Sequence, residues 1–327
     1  MKHTFRWAAV TAAGVMALAM ASAPASAAPR TVPADGADPV VHTAAATPRA
    51  QSAIERYWTP RRMAKAVPLD LIDLGKQRLG RVARGVPKVV PSGDALLGPL
   101  AANEPGGPWT GGGKVKTTSG RVFFTFQGRN ASCSGNAVTS ANKSVVMTAG
   151  HCVKMEGAFH TNWVFVPGYD NGARPHGTWS ATKLLTTPQW QASEDLNYDV
   201  GAAVVAPNNG QRLTDVVGSQ GVAFNQARGQ QMYAFGFPAA APYDGESLIY
   251  CSGRVFNDFL LSNDLGMTCD MTGGSSGGPW FLSFNESTGA GLQNSVNSFK
   301  YNFISTWMFG PYFGADAQRL YETAQAG

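Results

Sequence analysis

Two short stretches hold the residues best suited to chemistry: Met271-Thr-Gly-Gly-Ser-Ser-Gly-Gly-Pro279 and, far upstream, Thr148-Ala-Gly-His-Cys152. A hydroxyl among glycines, an imidazole to take its proton and a carboxylate to hold the imidazole are the parts of nucleophilic acyl transfer. The glycines have a physical job. They let the backbone turn sharply at Ser276, expose its hydroxyl and aim amide N–H groups at the oxygen that becomes negative. Ser275 competes as nucleophile, but only Ser276 is followed directly by Gly-Gly.

Chain order narrows the chemistry further. Gly274-Ser275-Ser276-Gly277-Gly278 also satisfies the G-x-S-x-G pattern of α/β-hydrolases, which place the histidine after the serine. The last histidine here is His176, so the order is His151, an aspartate, then Ser276. Asp199 is the candidate aspartate because it directly precedes the apolar run Val200-Gly-Ala-Ala-Val-Val205, which neither Glu194 nor Asp195 does. His160 and His176 read as surface or loop residues.

The elements that must position these groups read as β. Short β-like runs (Arg121–Phe126, Ser144–Thr148, Trp163–Val166, Val200–Val205, Met232–Phe237, Pro279–Leu282) recur between Gly, Asn and Pro punctuation. That spacing fits antiparallel barrels better than alternating βα units. Ala315 to Ala326 reads as the helix, with no breaker before Gly327. His151, Asp199 and Ser276 each fall beside an apolar run, where loops held by a rigid scaffold carry function.

The N-terminus reads as a secretory signal, residues 1–27: Lys2 and Arg6, an apolar stretch from Ala8 to Met20, then Ala25-Ser26-Ala27 for cleavage. That apolar stretch is too short for a membrane anchor. Residues 28–108 read as a propeptide without a sizeable core. Ala28 to Ala50 is Ala/Pro-rich, as a disordered or tethering segment would be, and a Gly/Pro seam from Pro105 to Gly113 closes the region. Residues 109–327 are the expected catalytic domain. The net charge of +5 misleads, since these residues hold 13 basic and 14 acidic side chains, and nucleic-acid binding is not expected. Export makes disulfides expected among the four cysteines. Of three pairings, Cys133–Cys152 with Cys251–Cys269 is the shortest-range. A metal site is the alternative, but there is no Cys-x-x-Cys.

At these residues the chain resembles the trypsin-like serine proteases, specifically the bacterial branch with the glutamyl endopeptidases. Thr148–Cys152 resembles the histidine motif, Asn197-Tyr-Asp-Val-Gly201 the aspartate motif and Gly273–Pro279 the serine motif, with Ala234-Phe-Gly-Phe-Pro238 and Tyr250-Cys-Ser-Gly253 between. The resemblance implies an all-β fold: two six-stranded antiparallel β-barrels, a chymotrypsin-like double barrel, with a C-terminal helix. It implies a secreted endopeptidase, made as a zymogen and acting as a monomer on protein or peptide substrates without a cofactor or metal. Ser276 would attack, His151 would shuttle the proton, Asp199 would orient the imidazole, and the Gly274 and Ser276 amides would form the oxyanion hole.

Two departures follow. In the animal digestive branch an aspartate before the nucleophile pairs with the freed N-terminal amine; here that position is Ser275, so this switch cannot operate in that form. Glutamyl endopeptidases use a histidine after the serine to receive the substrate carboxylate. This chain has none, and the resembling segment Ser295-Val-Asn-Ser298 offers Asn297. Asp270 lies where the trypsin branch has its selector for basic residues, though without that branch's cysteine spacing. Asp270 and Asn297 are therefore the candidate substrate-binding residues. Two other classes compete: a catalytically silent homologue serving as a secreted binding module, and an esterase on another fold.

Overall fold

A computed structural model describes residues 36–70, 79–94 and 103–327, all within the compact unit Thr31–Gly327. The expected signal, residues 1–27, lies outside them, as do 28–35, 71–78 and 95–102 of the expected propeptide. No helix among the described residues is long and apolar enough to cross a membrane.

The first half of the catalytic region is a closed barrel. Six strands, Ser119–Phe126, Arg129–Ala137, Val145–Thr148, Thr161–Pro167, Trp179–Thr186 and Gly201–Val205, pair antiparallel all the way round. Alternation along Ser119–Phe126 shows why this sequence is buried on both faces. Val122, Phe124 and Phe126 fill the barrel with Val145, Met147, Phe165 and Leu184. Phe123 points the other way and, with Val164 and Val166, packs against Phe235, Phe237, Phe281 and Phe284 of the second half. The halves therefore share an apolar seam, which fixes the loops of one against the loops of the other.

The second half is built from a seven-stranded sheet and a four-stranded sheet around Met232, Cys251, Met267, Cys269 and Trp280. Its central strands include Gln231–Gly236, Ile249–Arg254, Pro279–Asn285 and Ala290–Val296. Unlike the first barrel, it does not close into one ring of hydrogen-bonded strands, because the four-stranded sheet, with Leu265–Thr268 and Ile304–Gly310, forms its own ladder. The helix is Ala315–Gln325; Ala317, Leu320, Tyr321 and Ala324 line its buried face against the first barrel's core.

Residues 36–50, within the stretch read as tethering, are partly structured, and so is the chain after them. Val40–Thr43 adds antiparallel to Trp179–Thr186, and helices Pro48–Tyr57 and Pro60–Ala64 follow. Both helices begin with Thr-Pro: the threonine hydroxyl accepts an amide N–H at 3.3 Å, and proline at the first turn has no N–H to leave unpaired. Trp58 and Met63 are each only 1% exposed, and Trp58 lies on Phe123 at 5.5 Å. The chain then runs as Val67–Pro68 parallel to Ala131–Ser132. Lys88–Val90 and Glu104–Pro108 form the two edges of the seven-stranded sheet.

Candidate active site

The cysteines pair as Cys133–Cys152 and Cys251–Cys269, with Cα separations of 6.1 and 5.5 Å. The first bridge ties strand Arg129–Ala137 to the short 3₁₀ turn Gly150–Cys152 that carries His151. Cys133, His151 and Cys152 also bring three potential metal-ligand atoms together, but the two sulfurs are bonded to each other and leave one donor.

His151 and Asp199 meet doubly. The His151 amide donates to Asp199 Oδ1 at 2.7 Å, and Nδ1 lies 2.8 Å from Oδ2, with both side chains fully buried. The carboxylate thus grips both the backbone and the ring of one residue, which fixes the imidazole's orientation and puts the proton on Nδ1 when the ring is neutral. Ser298 Oγ donates to Oδ2 as well, at 2.5 Å. Of the neighbouring acids, Glu194 instead binds Lys154 at 2.9 Å, and Asp195 caps the turn before Tyr198. Asp264, fully buried near Asp199, is held well above the usual carboxyl range by burial first and then by the charges of Asp199, Asp258 and Asp195. That environment disfavours a second negative charge beside the pair.

His160 lies in the loop between two strands, as the loop reading had it, but it is not at the surface. It is 2% exposed, stacks on Phe124 at 4.2 Å, and its Nε2 sits 2.8 Å from the His151 carbonyl. Burial pushes its pKa down to about 4, so it is a neutral donor supporting the His151 turn from behind.

The Ser276 loop faces this turn from the other half. Ser134, next to the bridge, donates its amide to Ser276 O at 2.7 Å and its hydroxyl to Gly274 O at 2.9 Å. At Gly277, φ is +79° and a Cβ would collide with Thr148 Oγ1, so only glycine fits where the two loops cross. Ser275 is buried, its hydroxyl closing a turn onto Thr272 O at 2.8 Å. The Gly274 amide points at the carbonyl of Leu69, 3.2 Å away, and Ser276 Oγ lies 3.5 Å from the same oxygen.

Asn297 also needs correcting. It is fully buried, its amide donating to Phe235 O and Ser275 O at 2.9 and 3.0 Å and its oxygen accepting from Trp280 Nε1 at 2.7 Å. Its side-chain groups are engaged inside the protein, where they brace the loop that carries Ser275 and Ser276. Asp270 does line a cavity of about 520 Å³ beside the loop, with Thr272, Gly273, Lys300 and Tyr301. Its carboxylate already accepts from Tyr243 OH at 2.6 Å, however, and Gly106 packs against it. Lys300, which the sequence reading missed, lines the same cavity and donates to Cys269 O at 2.8 Å and Ser305 O at 2.6 Å. Burial lowers its pKa to about 8, against the pull of Asp270 and Asp70.

No protein-family profile matches the chain. Among solved structures it is similar to protease Anisep of Arthrobacter nicotinovorans, at 51% identity, covering 64% of this chain and 96% of that one with a TM-score of 0.62. It is similar also to the thermostable serine protease AL20 of an extremophilic microorganism, at 44% identity, 65% and 99% coverage and a TM-score of 0.62. A Glu endopeptidase, 18% identical with a TM-score of 0.53 over 70% of this chain and 99% of that one, shares the fold. The chain belongs to the chymotrypsin-fold serine proteases, on the side of these bacterial enzymes. A curated extracellular metalloprotease of Bacillus subtilis (strain 168) is 37% identical over 71 residues, so the chain spans only 22% of that protein's length.

Proposed function

We propose that the chain is a secreted serine endopeptidase, made with a propeptide and cleaving peptide bonds through an acyl-enzyme on Ser276. His151 takes the serine proton and returns it to the leaving amine. Asp199, braced by Ser298, holds the imidazole and offsets its charge once protonated, without taking the proton. The amides of Gly274 and Ser276 receive the oxyanion; one such donor is worth about 100- to 1,000-fold in turnover. The observation that carries this reading is the double contact of buried Asp199 with His151 beside a glycine loop whose Gly274 amide already holds a carbonyl oxygen.

The cavity beside the loop is the proposed site for the residue before the scissile bond. Asp270 lines it as the proposed substrate-binding acid, with Lys300 beside it. The test is peptide-library cleavage by the secreted, processed form, mapped by mass spectrometry beside Ser276→Ala. Cuts made only by the serine form support the reading. Cuts shared by both forms, or none from a form shown to have lost its propeptide, reject it in favour of a silent binding module.

A further inference from the structure

The segment ending at Asp70 enters the cleft between the two halves. Val67–Pro68 lies parallel to Ala131–Ser132, and the Leu69 amide donates to Ser132 O at 2.9 Å. Its carbonyl then takes the Gly274 amide at 3.2 Å and faces Ser276 Oγ at 3.5 Å. Asp70 follows against Gly273, in the wall of the cavity that holds Asp270 and Lys300. Upstream, the segment is anchored by Trp58 and Met63 in the apolar seam and by Tyr57 OH on Asn130 Oδ1 at 2.7 Å.

We infer that residues 67–70 inhibit the enzyme as a reversed strand, with the Leu69 carbonyl occupying the oxyanion hole and the cleavable bond facing the wrong way. The inference rests on the proposed role of Ser276. The direction follows from the neighbours on either side of that carbonyl. The chain arrives along Ser132, beside the Cys133–Cys152 bridge and His151, and departs at Asp70 on the cavity side. Attack on the Leu69 carbon would have to expel the Asp70 nitrogen, which needs a proton from His151 Nε2 on the opposite side. Acylation by such a strand has no proton donor for its leaving group, so the alkoxide collapses back and the bond survives. The serine is diverted as well: its hydroxyl faces Leu69 O, while His151 Nε2 is buried with no hydrogen-bond partner among the described residues. A strand running in the productive sense would present the same carbonyl and be cut; the reversed sense lets the segment fill the site as a ligand rather than a substrate.

The test uses the intact full chain, its mass checked before and after, and follows fluorophosphonate labelling of Ser276. Leu69→Pro deletes the amide that holds the strand to Ser132, and Tyr57→Phe removes one anchor while leaving no large cavity. Each lost hydrogen bond should raise the open fraction, and so the labelling rate, about five-fold. Circular dichroism and melting check that each variant is folded, and Tyr57→Phe decides alone if Leu69→Pro is not. Faster labelling of the intact folded variants supports the inference. Equal rates in wild type and variants overturn it while leaving Ser276 as the nucleophile. Absence of labelling in every chain removes the nucleophile reading and this inference together. Self-cleavage between Leu69 and Asp70 in wild type but not in Ser276→Ala overturns the reversed sense.

Discussion

Replacing Asn297 by alanine separates two roles that the sequence could not distinguish. If Asn297 braces the loop, the substitution deletes three fully buried hydrogen bonds at 2.7, 2.9 and 3.0 Å. Ser275 O keeps its bond from the Gly278 amide, so the largest single loss falls on Trp280 Nε1, left without a partner in a fully buried indole. An orphaned buried donor costs about 1–3 kcal/mol, and two ordinary bonds lost add about 1 kcal/mol each, giving about 3–5 kcal/mol in all. That is a large share of a typical stability of about 5–15 kcal/mol and corresponds to a fall in melting temperature of roughly 10 °C. Urea unfolding should be measured in a Ser276→Ala background, so that self-digestion does not distort the curve. In the serine form, labelling at Ser276 should slow, because the Ser275 carbonyl loses its brace. Asn297→Asp, which keeps an acceptor for Trp280 but sets a carboxylate against two carbonyls, should be no better. A loss below about 1 kcal/mol together with altered preference for the residue before the bond would refute the reasoning and return Asn297 to the substrate.

Three further outcomes are expected. Cys133→Ser should cost about 3 kcal/mol by the loop-closure estimate and lower turnover at the same time, because the bridge holds the His151 turn; unchanged melting and turnover would contradict that link. Ser298→Ala removes a hydrogen bond to a buried carboxylate and should lower kcat about ten-fold with KM nearly constant; a change confined to KM would place Ser298 at the substrate instead. For His160, the folded pKa of about 4 lies below the ordinary 6.5, so the unfolded chain binds the extra proton. Stability should therefore fall as pH drops from 6.5 towards 4, by about 3 kcal/mol, and level off below. Asp195, raised to about 6 from 3.8 by burial, acts in the opposite sense, its contribution being present at low pH and lost as pH rises through that interval. The difference between wild type and His160→Gln unfolding curves across pH isolates His160; a flat difference rejects its buried neutral state.

The candidate site was legible where its residue types are compressed into a few consecutive positions. The strands behind His151, Asp199 and Ser276 announced themselves as apolar runs, and the helix as an unbroken one, because those patterns depend on neighbours two to four residues away. Burial created by partners distant in sequence was not legible. Asn297 looked like a pocket residue because its motif position suggested one, while its actual partners, Phe235, Ser275 and Trp280, come together only through the second half's strands. His160 carried no local signal of burial, since the Phe124 it stacks on belongs to another strand. The region before residue 109 is a different case. Thr47-Pro48 and Thr59-Pro60 are local helix-start signals and could have been read, but the Ala-rich composition around the first outweighed them.

On the proposed role of Ser276, the bracing of its loop bears on how activity would be withheld. Ser275 stands where an aspartate would pair with a freed N-terminal amine, and its neutral hydroxyl is spent on Thr272 O. The bonds described around the loop come from Ser134, Asn297 and backbone groups, all neutral and all present while residues 36–70 are still attached. A loop held by these bonds does not wait for a new charge to form it. If the Gly274 and Ser276 amides form the proposed oxyanion hole, control by leaving it unbuilt has no lever among these bonds. What remains is to build the site fully and occupy it, and an occupant placed beside a competent nucleophile survives only if its own bond is presented in a sense that His151 cannot complete. The neutral serine before the nucleophile and the reversed strand across it are on this view two halves of one arrangement: the first removes the ion-pair switch, and the second takes its place.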